Sequence, residues 1–349
     1  MNYSISDWKK TLLPKGVTIS DVIKCINDTK YQIAIIYYDN LKFYGIITDG
    51  DIRRGLINGI KLNDDASLIT QTKPIIAYAP INSEHANLLM INNKINHLPI
   101  INQNNEIVEL FLNEYLIDKP VNRNNTILIM AGGRGKRMGN FTDDCPKPML
   151  KVLGKPMLEH ILIKAKLEGF SNFIISLNYL GNIIENYFKN GEKLGIHINY
   201  IREDKPLGTA GALGLINFNI NFPLLVINGD VLSETNFNDF IDFHLNNNAD
   251  ATMAVSQFIT QHNFGVIKTN DFNIISIEEK PIQTFNINSG IYVLNNYVLS
   301  KIRQNEYLDM TTLFQLLIEE KRKILSYPIY EKWNDIGKPE DLLNYKNIN

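Results

Sequence analysis

A short apolar run that opens straight into a glycine-rich, cationic turn constrains this chain more than any other feature. Ile127-Leu128-Ile129-Met130 has the length and composition of a buried strand, and Ala131-Gly132-Gly133-Arg134-Gly135-Lys136-Arg137 follows it directly. A lysine between two prolines, Pro146-Lys147-Pro148, comes shortly afterwards. Because glycine has no Cβ, such a turn can bring backbone N–H groups against a phosphate. The pattern predicts a strand–turn unit that binds a nucleoside triphosphate.

The turn differs from the two familiar phosphate-binding fingerprints. Its glycines are not spaced as in the dinucleotide-binding loop, and it lacks the Gly-Lys-Ser/Thr ending of a Walker loop. A plain strand–helix connection would also contain glycines. However, Arg134, Lys136, Arg137 and the nearby Lys147 add positive charge for which a plain connection has no use.

Composition and cysteine usage narrow the possible classes of protein. The chain has 349 residues, 44% hydrophobic and 21% charged residues, and a net charge of −2. These values are typical of a soluble globular protein of two domains. Without a basic stripe interleaved with aromatic residues, a nucleic-acid partner is not expected. Only Cys25 and Cys145 are present, which excludes a disulfide framework and a cysteine-rich metal site.

Neither a targeting signal nor a membrane segment is evident in the sequence. Met1–Asp7 is polar and lacks the pattern of a signal peptide. No apolar run approaches the length that spans a bilayer. We therefore expect a cytoplasmic protein without a membrane partner.

A polar segment that contains proline and lacks periodicity, residues 119–125, is predicted to be a linker. It divides the chain into a first domain, residues 1–118, and a second domain, residues 126–349. In the second domain, strand-like runs such as Phe173–Leu177 and Leu224–Ile227 alternate with helical patterns. This alternation predicts an α/β fold with a Rossmann-like, mainly parallel sheet. The ligand crevice should lie at the carboxyl ends of its strands.

The first domain contains an internal repeat. One copy occupies residues 19–52 and the other begins at residue 81, an offset of roughly 62 to 64 residues. Each copy reads as helix, strand, turn, strand and helix. The repeat predicts a pair of small α+β modules in tandem.

These copies resemble a tandem pair of CBS modules. The first copy carries the Gly-x-x-Thr-x-x-Asp pattern of that family as Gly45, Thr48 and Asp51. The resemblance implies that Thr48 and Asp51 contact the phosphate and ribose of a regulatory nucleotide. A carboxylate suits a ribose because it can accept two hydroxyl donors at once.

The second copy departs from this pattern. Glu109, Leu112 and Tyr115 stand where glycine, threonine and aspartate would be. The resemblance therefore implies one nucleotide site rather than two. A pair of modules with a purely structural or dimerising role remains the alternative.

Two aspartates lie where strands of the second domain end. Asp230 follows the strand Leu224–Ile227 after Asn228-Gly229, and Asp335 is followed by Ile336-Gly337. Carboxylate oxygens suit Mg²⁺, which proteins usually hold with one or two carboxylates plus phosphate oxygens and waters. Either aspartate alone would more often form a turn. Together with the predicted phosphate loop, they indicate a magnesium site.

From Thr126 to Asn349 the chain resembles the sugar-1-phosphate nucleotidyltransferases, which have the nucleotide-diphospho-sugar transferase fold. The resemblance covers nearly two thirds of the chain and follows the order of the family's motifs. Those motifs are Ala131–Arg137, Pro146–Pro148, Pro206–Ala212, Asn228–Asp230, Phe264–Val266, Glu278–Pro281, Asn288–Tyr292 and Trp333–Gly337.

The resemblance implies roles for individual residues. Arg137 would hold the triphosphate and stabilise the departing pyrophosphate, and Lys147 would neutralise the reacting phosphates. Asp230 and Asp335 would bind the Mg²⁺ cofactor. The nucleotide would contact Ala131, Gly132, Gly133, Gly135, Gly208, Thr209 and Gly211, and the sugar phosphate Gly265, Glu279, Lys280 and Asn288.

The resemblance also implies substrates. The form of Pro206–Ala212 is similar to that of guanylyltransferases for mannose or heptose phosphates. The whole architecture most resembles bacterial enzymes that make GDP-glucosamine for legionaminic acid. We therefore expect GTP and glucosamine-1-phosphate. Mannose-1-phosphate or heptose-1-phosphate, and UTP, dTTP or CTP, are the alternatives.

Two other functional classes compete with this enzyme. A nucleotide-sensing regulator would keep the fold without catalysis, and a glycosyltransferase would share a similar sheet. The full set Arg137, Lys147, Asp230 and Asp335 disfavours an idle domain. The glycine turn disfavours a glycosyltransferase, whose nucleotide sugar has no leaving triphosphate tail. We also expect a homo-oligomer, in which the CBS pair takes the oligomerising role.

Overall fold

The computed structural model describes residues 7–112 and 122–342. The chain divides into two compact units, Met1–Lys119 and Pro120–Asn349. In the described residues, no helix is both long and apolar enough to cross a lipid bilayer.

The first unit consists of two halves with the same strand topology. Each half has a three-stranded sheet in which the central strand pairs parallel with one neighbour and antiparallel with the other. The second helix expected in the second copy, like Tyr115, lies outside the described residues. The elements are β1 (Leu12–Pro14), α1 (Ile19–Thr29), β2 (Ile33–Tyr37), β3 (Phe43–Thr48), α2 (Asp49–Ile57), β4 (Ala77–Tyr78), α3 (Ser83–Asn93), β5 (His97–Ile101) and β6 (Ile107–Leu112).

One apolar cluster joins the two halves of the first unit. Ile33, Ile35 and Phe43 of the first half pack with Ile107 and Leu110 of the second. Burial of these side chains couples the two sheets, because each half alone is too small to bury its own apolar face. The repeat in the sequence is therefore matched by a repeat in topology, and its assignment to the CBS family stays a prediction.

The second unit is built on a seven-stranded sheet with the order β11-β10-β7-β12-β17-β14-β18. Its elements are β7 (Arg123–Met130), β8 (Lys151–Val152), β9 (Lys155–Pro156), α4 (Met157–Leu167), β10 (Phe170–Leu177), α5 (Gly181–Phe188), β11 (His197–Arg202), α6 (Gly208–Gly211), β12 (Leu224–Asn228), β13 (Val231–Ser233), α7 (Phe237–Asn246), β14 (Ala251–Gln261), β15 (Val266–Asn270), β16 (Asn273–Glu278), β17 (Ile282–Leu294), α8 (Asn296–Leu299), α9 (Met310–Glu319), β18 (Ile324–Ile329) and β19 (Trp333–Asp335).

The sheet is mixed but mainly parallel, which confirms the predicted class of fold. Strands β11, β10, β7 and β12 run parallel, and only β17 runs antiparallel to its neighbours β12 and β14. The apolar run of β7 is continuous because both faces of the sheet are covered. Ile127 and Ile129 pack on one side, whereas Leu128 packs on the other.

The predicted linker is shorter than expected at its carboxyl end. Arg123, Asn124 and Asn125 are the first residues of β7 rather than linker residues. Polar residues are typical of a linker, but the side chains of Arg123 and Asn125 instead have polar partners far away in the sequence. The Arg123 guanidinium donates to both carboxylate oxygens of Asp242, at 2.7 and 2.8 Å, and the Asn125 amide donates to the carbonyl of Pro223.

Candidate active site

A cavity of about 420 Å³ opens at the carboxyl ends of β7 and β12. Parallel strands deliver their following loops to the same edge of a sheet, which is why residues distant in sequence meet here. The cavity is lined by eight of the residues proposed from the sequence: Gly132, Gly133, Gly135, Arg137, Lys147, Gly208, Thr209 and Asp230.

The glycine turn after β7 needs its glycines for different reasons. A Cβ on Gly132 would lie 2.6 Å from a carboxylate oxygen of Glu203. Gly135 has a φ of +65°, and a Cβ there would lie 3.0 Å from the Cβ of Lys147. A Cβ on Gly133, in contrast, would meet no protein atom within 4 Å. Gly132 and Gly135 are thus required by packing, whereas Gly133 leaves space in the cavity itself.

The cations of the turn separate into two groups. Lys136 and Arg137 line the cavity. Arg134 instead lies against the ring of Tyr179, 5.3 Å from its centroid, where it gains a cation–π contact. The positive charge available to a bound anion therefore comes from Lys136 and Arg137, together with Lys147.

Lys147 is the most buried cation of the cavity. It opens a short 3₁₀ turn, Lys147–Met149, directly after Pro146. Its side chain is 8% exposed, and its ammonium group donates to the carboxylate of Asp230. A buried ammonium needs such a partner, because an unpaired charge away from water is costly.

A short antiparallel pair, β13 with β19, brings the two predicted metal ligands together. Val231 pairs with Asp335, and the N–H of Ile336 donates to the carbonyl of Asp230 at 3.2 Å. Burial raises the pKa of Asp335, and the negative charge of Asp230 raises it further, whereas Lys147 and Arg137 lower it. The two aspartates therefore lie close enough to repel each other electrostatically.

Arg137 reaches the same corner of the site. A Cβ on Gly337 would lie 3.7 Å from the Arg137 guanidinium and 3.8 Å from both carboxylate oxygens of Asp335. Gly337 also lines the cavity. Of the four residues predicted to be catalytic, Arg137, Lys147 and Asp230 therefore line the cavity, and Asp335 lies next to the lining residue Gly337.

The donor set is compatible with a magnesium ion that arrives with a nucleotide. Within residues 7–112 and 122–342, no group of three or more histidine, cysteine or acidic side chains could hold a metal ion. The two aspartates supply the one or two carboxylates that Mg²⁺ commonly takes from a protein. A divalent cation would also relieve the repulsion between Asp230 and Asp335. Asn228, two residues before Asp230, also lines the cavity, and its amide oxygen is buried without a hydrogen-bond partner.

Glu203 is a cavity residue that the sequence analysis missed. It follows β11, is 9% exposed, and lines the cavity. Its carboxylate accepts hydrogen bonds from the Ser176 hydroxyl at 2.5 Å and from the Leu207 N–H at 2.9 Å. Its position one residue after a parallel strand could have indicated a ligand-binding role, since ligand-binding residues concentrate at that edge of a sheet.

The loop that contains Gly208 and Gly211 is packed against residues 306–309. A Cβ on Gly208 would lie 2.6 Å from the carbonyl oxygen of Leu308, and one on Gly211 would lie 2.5 Å from that of Glu306. These glycines are therefore explained by close packing of two loops. Of the two, only Gly208 lines the cavity.

The Thr209 side chain joins the two loops, and the Tyr307 side chain makes a hydrogen bond within its own loop. The Thr209 hydroxyl accepts the N–H of Met310 at 2.8 Å. The Tyr307 hydroxyl donates to Asp309 at 2.8 Å, and Tyr307 lines the cavity. Tyr307 lies in no motif quoted above and was missed, because only the packing of the two loops brings it to the cavity.

The residues predicted to face the sugar phosphate do not line this cavity. Gly265, Glu279 and Lys280 are exposed, and the Glu279 carboxylate would lie 2.9 Å from a Cβ on Gly265. Asn288 donates to the Tyr292 hydroxyl at 2.8 Å and accepts the N–H of Gly290 at 2.9 Å. Their contact with a sugar phosphate stays a prediction.

In the first unit, the Gly-x-x-Thr-x-x-Asp pattern has an internal structural explanation. A Cβ on Gly45 would lie 2.4 Å from the carbonyl oxygen of Gln71. One carboxylate oxygen of Asp51 accepts both the N–H and the hydroxyl of Thr48, a capping box at the start of α2. The other accepts from Arg54 at 2.5 Å and from Gln71 at 3.1 Å. A ribose could reach Asp51 only by displacing these donors.

The model of the nucleotidyl transferase family matches residues 126–348, so the chain belongs to that family. The mannose-1-phosphate guanylyltransferase of Mycobacterium tuberculosis is 32% identical over 222 residues, which cover 62% of each chain. The mannose-1-phosphate guanyltransferase of Yarrowia lipolytica is 33% identical over 226 residues, with the same coverage. The chain thus spans less than two thirds of the length of these curated relatives.

A solved structure supports the same relationship for the fold. HddC from Yersinia pseudotuberculosis is 27% identical, with a TM-score of 0.52 over 64% of this chain and 99% of that chain. The complex of HddC with GMP-PN matches with a TM-score of 0.50. In both comparisons the matched part is 64% of this chain, which is about the length of the second unit.

Proposed function

We propose that this chain is a sugar-1-phosphate nucleotidyltransferase, which joins a nucleoside monophosphate from a triphosphate to a sugar-1-phosphate and releases pyrophosphate. One observation carries the proposal: Arg137, Lys147 and Asp230 line a cavity whose wall includes a glycine turn, and Asp335 lies next to Gly337 in the same wall. Membership of the nucleotidyl transferase family supports it.

The reaction requires charge neutralisation rather than a strong base. A phosphate oxygen of the sugar-1-phosphate is already anionic near neutral pH, and it attacks the α-phosphorus while pyrophosphate leaves in line. The main difficulty is to bring two polyanions together, so positioning and electrostatic stabilisation supply most of the acceleration. Lys147 and Arg137 provide this positive charge without a hydrolytic nucleophile.

Mg²⁺ is the cofactor that this site would use. Asp230 and Asp335 would hold it, and the bound ion would neutralise charge on the triphosphate. Lys147 already occupies one oxygen of Asp230. This contact orients the carboxylate and keeps the ammonium group at the edge of the cavity.

The proposed nucleotide is GTP, and Glu203 is the residue that supports it. A carboxylate only accepts hydrogen bonds, and the Watson–Crick edge of guanine presents two adjacent donors, N1–H and the 2-amino group. Uracil and thymine present a single N–H between two carbonyls. The guanylyltransferase relatives and the GMP-PN complex of HddC point to the same base.

The proposed acceptor is glucosamine-1-phosphate, from the resemblance of the whole architecture to enzymes of legionaminic acid synthesis. Mannose-1-phosphate is the alternative, because the relatives named above act on it. Those relatives align with only 62% of this chain. Gly265, Glu279, Lys280 and Asn288 would contact the sugar phosphate once they approach the cavity.

A substrate panel tests the proposal directly. Purified protein with Mg²⁺ is given GTP, ATP, UTP, dTTP or CTP together with glucosamine-, mannose-, glucose- or heptose-1-phosphate, and pyrophosphate release is measured. We expect release with GTP and glucosamine-1-phosphate, and formation of the matching GDP-sugar by mass spectrometry. Triphosphate binding without turnover on any sugar phosphate would favour the regulator. Consumption of a GDP-sugar supplied in a parallel reaction without triphosphate would favour the glycosyltransferase.

For the first unit we propose a regulatory role through one nucleotide at Thr48 and Asp51. The bound ribose would replace Arg54 and Gln71 as partners of the Asp51 carboxylate. Arg54 is free to move because its side chain is 67% exposed. Calorimetry with AMP, ADP, ATP and GTP, alongside turnover with and without each nucleotide, tests this role.

A further inference from the structure

Tyr307 lines the cavity, yet the reaction described above gives it no role. Of the described residues that line the cavity, it alone has an aromatic ring. Its side chain is 64% exposed, whereas aromatic side chains usually bury most of their surface. A flat apolar ring that stays open toward a polar cavity is available to a ligand with a flat face of its own.

The polar end of this side chain is held by the protein. The Tyr307 hydroxyl donates to one carboxylate oxygen of Asp309 at 2.8 Å. The other oxygen of Asp309 accepts the N–H of Thr209 at 3.3 Å. A tyrosine at a surface commonly keeps its polar tip in water and its apolar body against protein. Here the hydroxyl is held and the ring is left exposed.

The backbone beside Tyr307 is fixed as well. The Leu308 N–H donates to the carbonyl of Leu207 at 2.9 Å, and the Leu308 carbonyl accepts the N–H of Gly211 at 3.0 Å. The ring is therefore presented from a position that is set before a ligand binds. Such preorganisation lowers the entropy that binding costs.

Tyr307 and Glu203 adjoin the same short segment of chain. The Leu207 N–H donates to the Glu203 carboxylate at 2.9 Å. The next residue is Gly208, and a Cβ there would lie 2.8 Å from the Asp309 carboxylate that holds Tyr307. Glu203 is proposed above to accept hydrogen bonds from the Watson–Crick edge of guanine. A ring beside the same segment suits the face of that base.

We propose that the Tyr307 ring is a stacking surface for the base of the nucleoside triphosphate. The inference rests on the proposed function and adds a base-contacting residue to its site. Stacking uses the π-face that every base has, so Tyr307 adds affinity, whereas Glu203 selects the base. The sugar is the weaker candidate for this ring, because the residues predicted to face the sugar phosphate do not line the cavity.

Calorimetric titration with Mg²⁺ and without sugar phosphate tests the stacking. Tyr307→Ala removes the ring, and Tyr307→Phe removes only the hydroxyl. Tyr187→Ala is the matched control: Tyr187 is 51% exposed, its hydroxyl donates to the Glu159 carboxylate at 2.7 Å, and it lies outside the cavity lining. The two ligands are GTP and ribose 5-triphosphate, which keeps the ribose and phosphates but has no base.

We expect the loss of affinity to follow the ring and the base together. Tyr307→Ala should weaken GTP binding by at least about tenfold and should leave binding of ribose 5-triphosphate within about twofold of wild type. Tyr307→Phe and Tyr187→Ala should bind both ligands within about threefold of wild type. Thermal denaturation checks that all three variants are folded.

Three results would overturn the stacking role. An equal loss in Tyr307→Phe and Tyr307→Ala would mean that the hydroxyl contact with Asp309, and not the ring, supports binding. An equal loss for ribose 5-triphosphate would assign the effect to the position of the loop. Unchanged GTP affinity in Tyr307→Ala would remove the ring from the base. A wild type that binds neither triphosphate would, in contrast, contradict the proposed function as well.

Discussion

The ammonium group of Lys147 donates a hydrogen bond to the carboxylate of Asp230, across 83 residues of sequence. Lys147 is held at the start of a 3₁₀ turn by the preceding proline, and Asp230 lies just past the end of β12. The contact joins the glycine-turn side of the cavity to its carboxylate side. A triphosphate that enters therefore meets a cation whose position is already set.

Replacement of either partner should abolish most activity. Lys147→Ala and Asp230→Asn should each lower kcat by about 100- to 1,000-fold, because a preorganised charge at the reacting phosphates is lost. Steady-state kinetics with pyrophosphate release measures the effect. Lys151→Ala serves as the control, since Lys151 is exposed on β8 nearby. Activity within threefold of wild type in Asp230→Asn would remove that aspartate from the proposed metal site.

Asp335 should destabilise the metal-free protein near neutral pH. A carboxyl group whose pKa is raised by folding binds its proton more tightly in the folded state. Its ionised form therefore lowers the free energy of unfolding as the pH rises through the raised pKa, and this effect is absent at pH values below its unfolded pKa. Asp335→Asn should be more stable than wild type at pH 7, with a difference that shrinks on acidification.

Urea denaturation without metal at several pH values measures this difference. The same variant should lose at least about 100-fold in turnover if Asp335 binds the metal. A variant that is less stable than the wild type at pH 7 would contradict the raised pKa of Asp335.

The two glycines Gly132 and Gly133 should respond differently to alanine. Gly132→Ala forces a Cβ to within 2.6 Å of the Glu203 carboxylate, so we expect a loss of about 1–3 kcal/mol in unfolding free energy. Gly133→Ala meets no protein atom within 4 Å, and we expect a nearly unchanged stability with weakened binding of GTP. Thermal denaturation and calorimetric titration separate the two effects. Equal affinity of Gly133→Ala and wild type would show that no phosphate approaches this glycine.

Glu203 should decide between guanine and the pyrimidines. Glu203→Gln keeps one amide oxygen to accept from Leu207 or Ser176, but it places one N–H donor where guanine needs an acceptor. We expect kcat/KM for GTP to fall by about 10- to 100-fold, and the ratio of UTP to GTP use to rise. Competition assays with paired nucleotides report this ratio directly. An unchanged ratio would mean that Glu203 acts only by holding Ser176 and Leu207.

The first unit offers a matched pair of capping boxes for the regulatory hypothesis. Asp51 caps α2 with Thr48, and Asp21 caps α1 with Thr18 in the same way. Asp51→Asn should cost about 0.5–2 kcal/mol of stability through the lost cap, and Asp21→Asn should also lower stability, because it loses the equivalent hydrogen bonds to Thr18. Only Asp51→Asn should also abolish a nucleotide response measured by calorimetry. Loss of the response in both variants would indicate an effect of stability alone.

Local patterns carried much of the prediction. The apolar run of β7, its glycine turn, the aspartate after β12 and the aspartate that ends β19 are short-range signals, because each expresses a backbone or packing need within a few residues. Arg137, Lys147, Asp230 and Asp335 could therefore be proposed before any distance was known. The polar start of β7 resembles a linker in sequence, because the partners of its side chains, Asp242 and Pro223, are about 100 residues away.

The sequence by itself determined the mainly parallel α/β fold, the glycine turn and the charged residues that the cavity gathers. Only the tertiary structure decided that Glu203 and Tyr307 line that cavity and that Asp51 already has partners. The physical reason is the separation in sequence of the residues that determine each feature. Turns and caps depend on neighbours in sequence, whereas the meeting of β11, β7 and the 306–309 loop depends on strand order and on loops that close far along the chain.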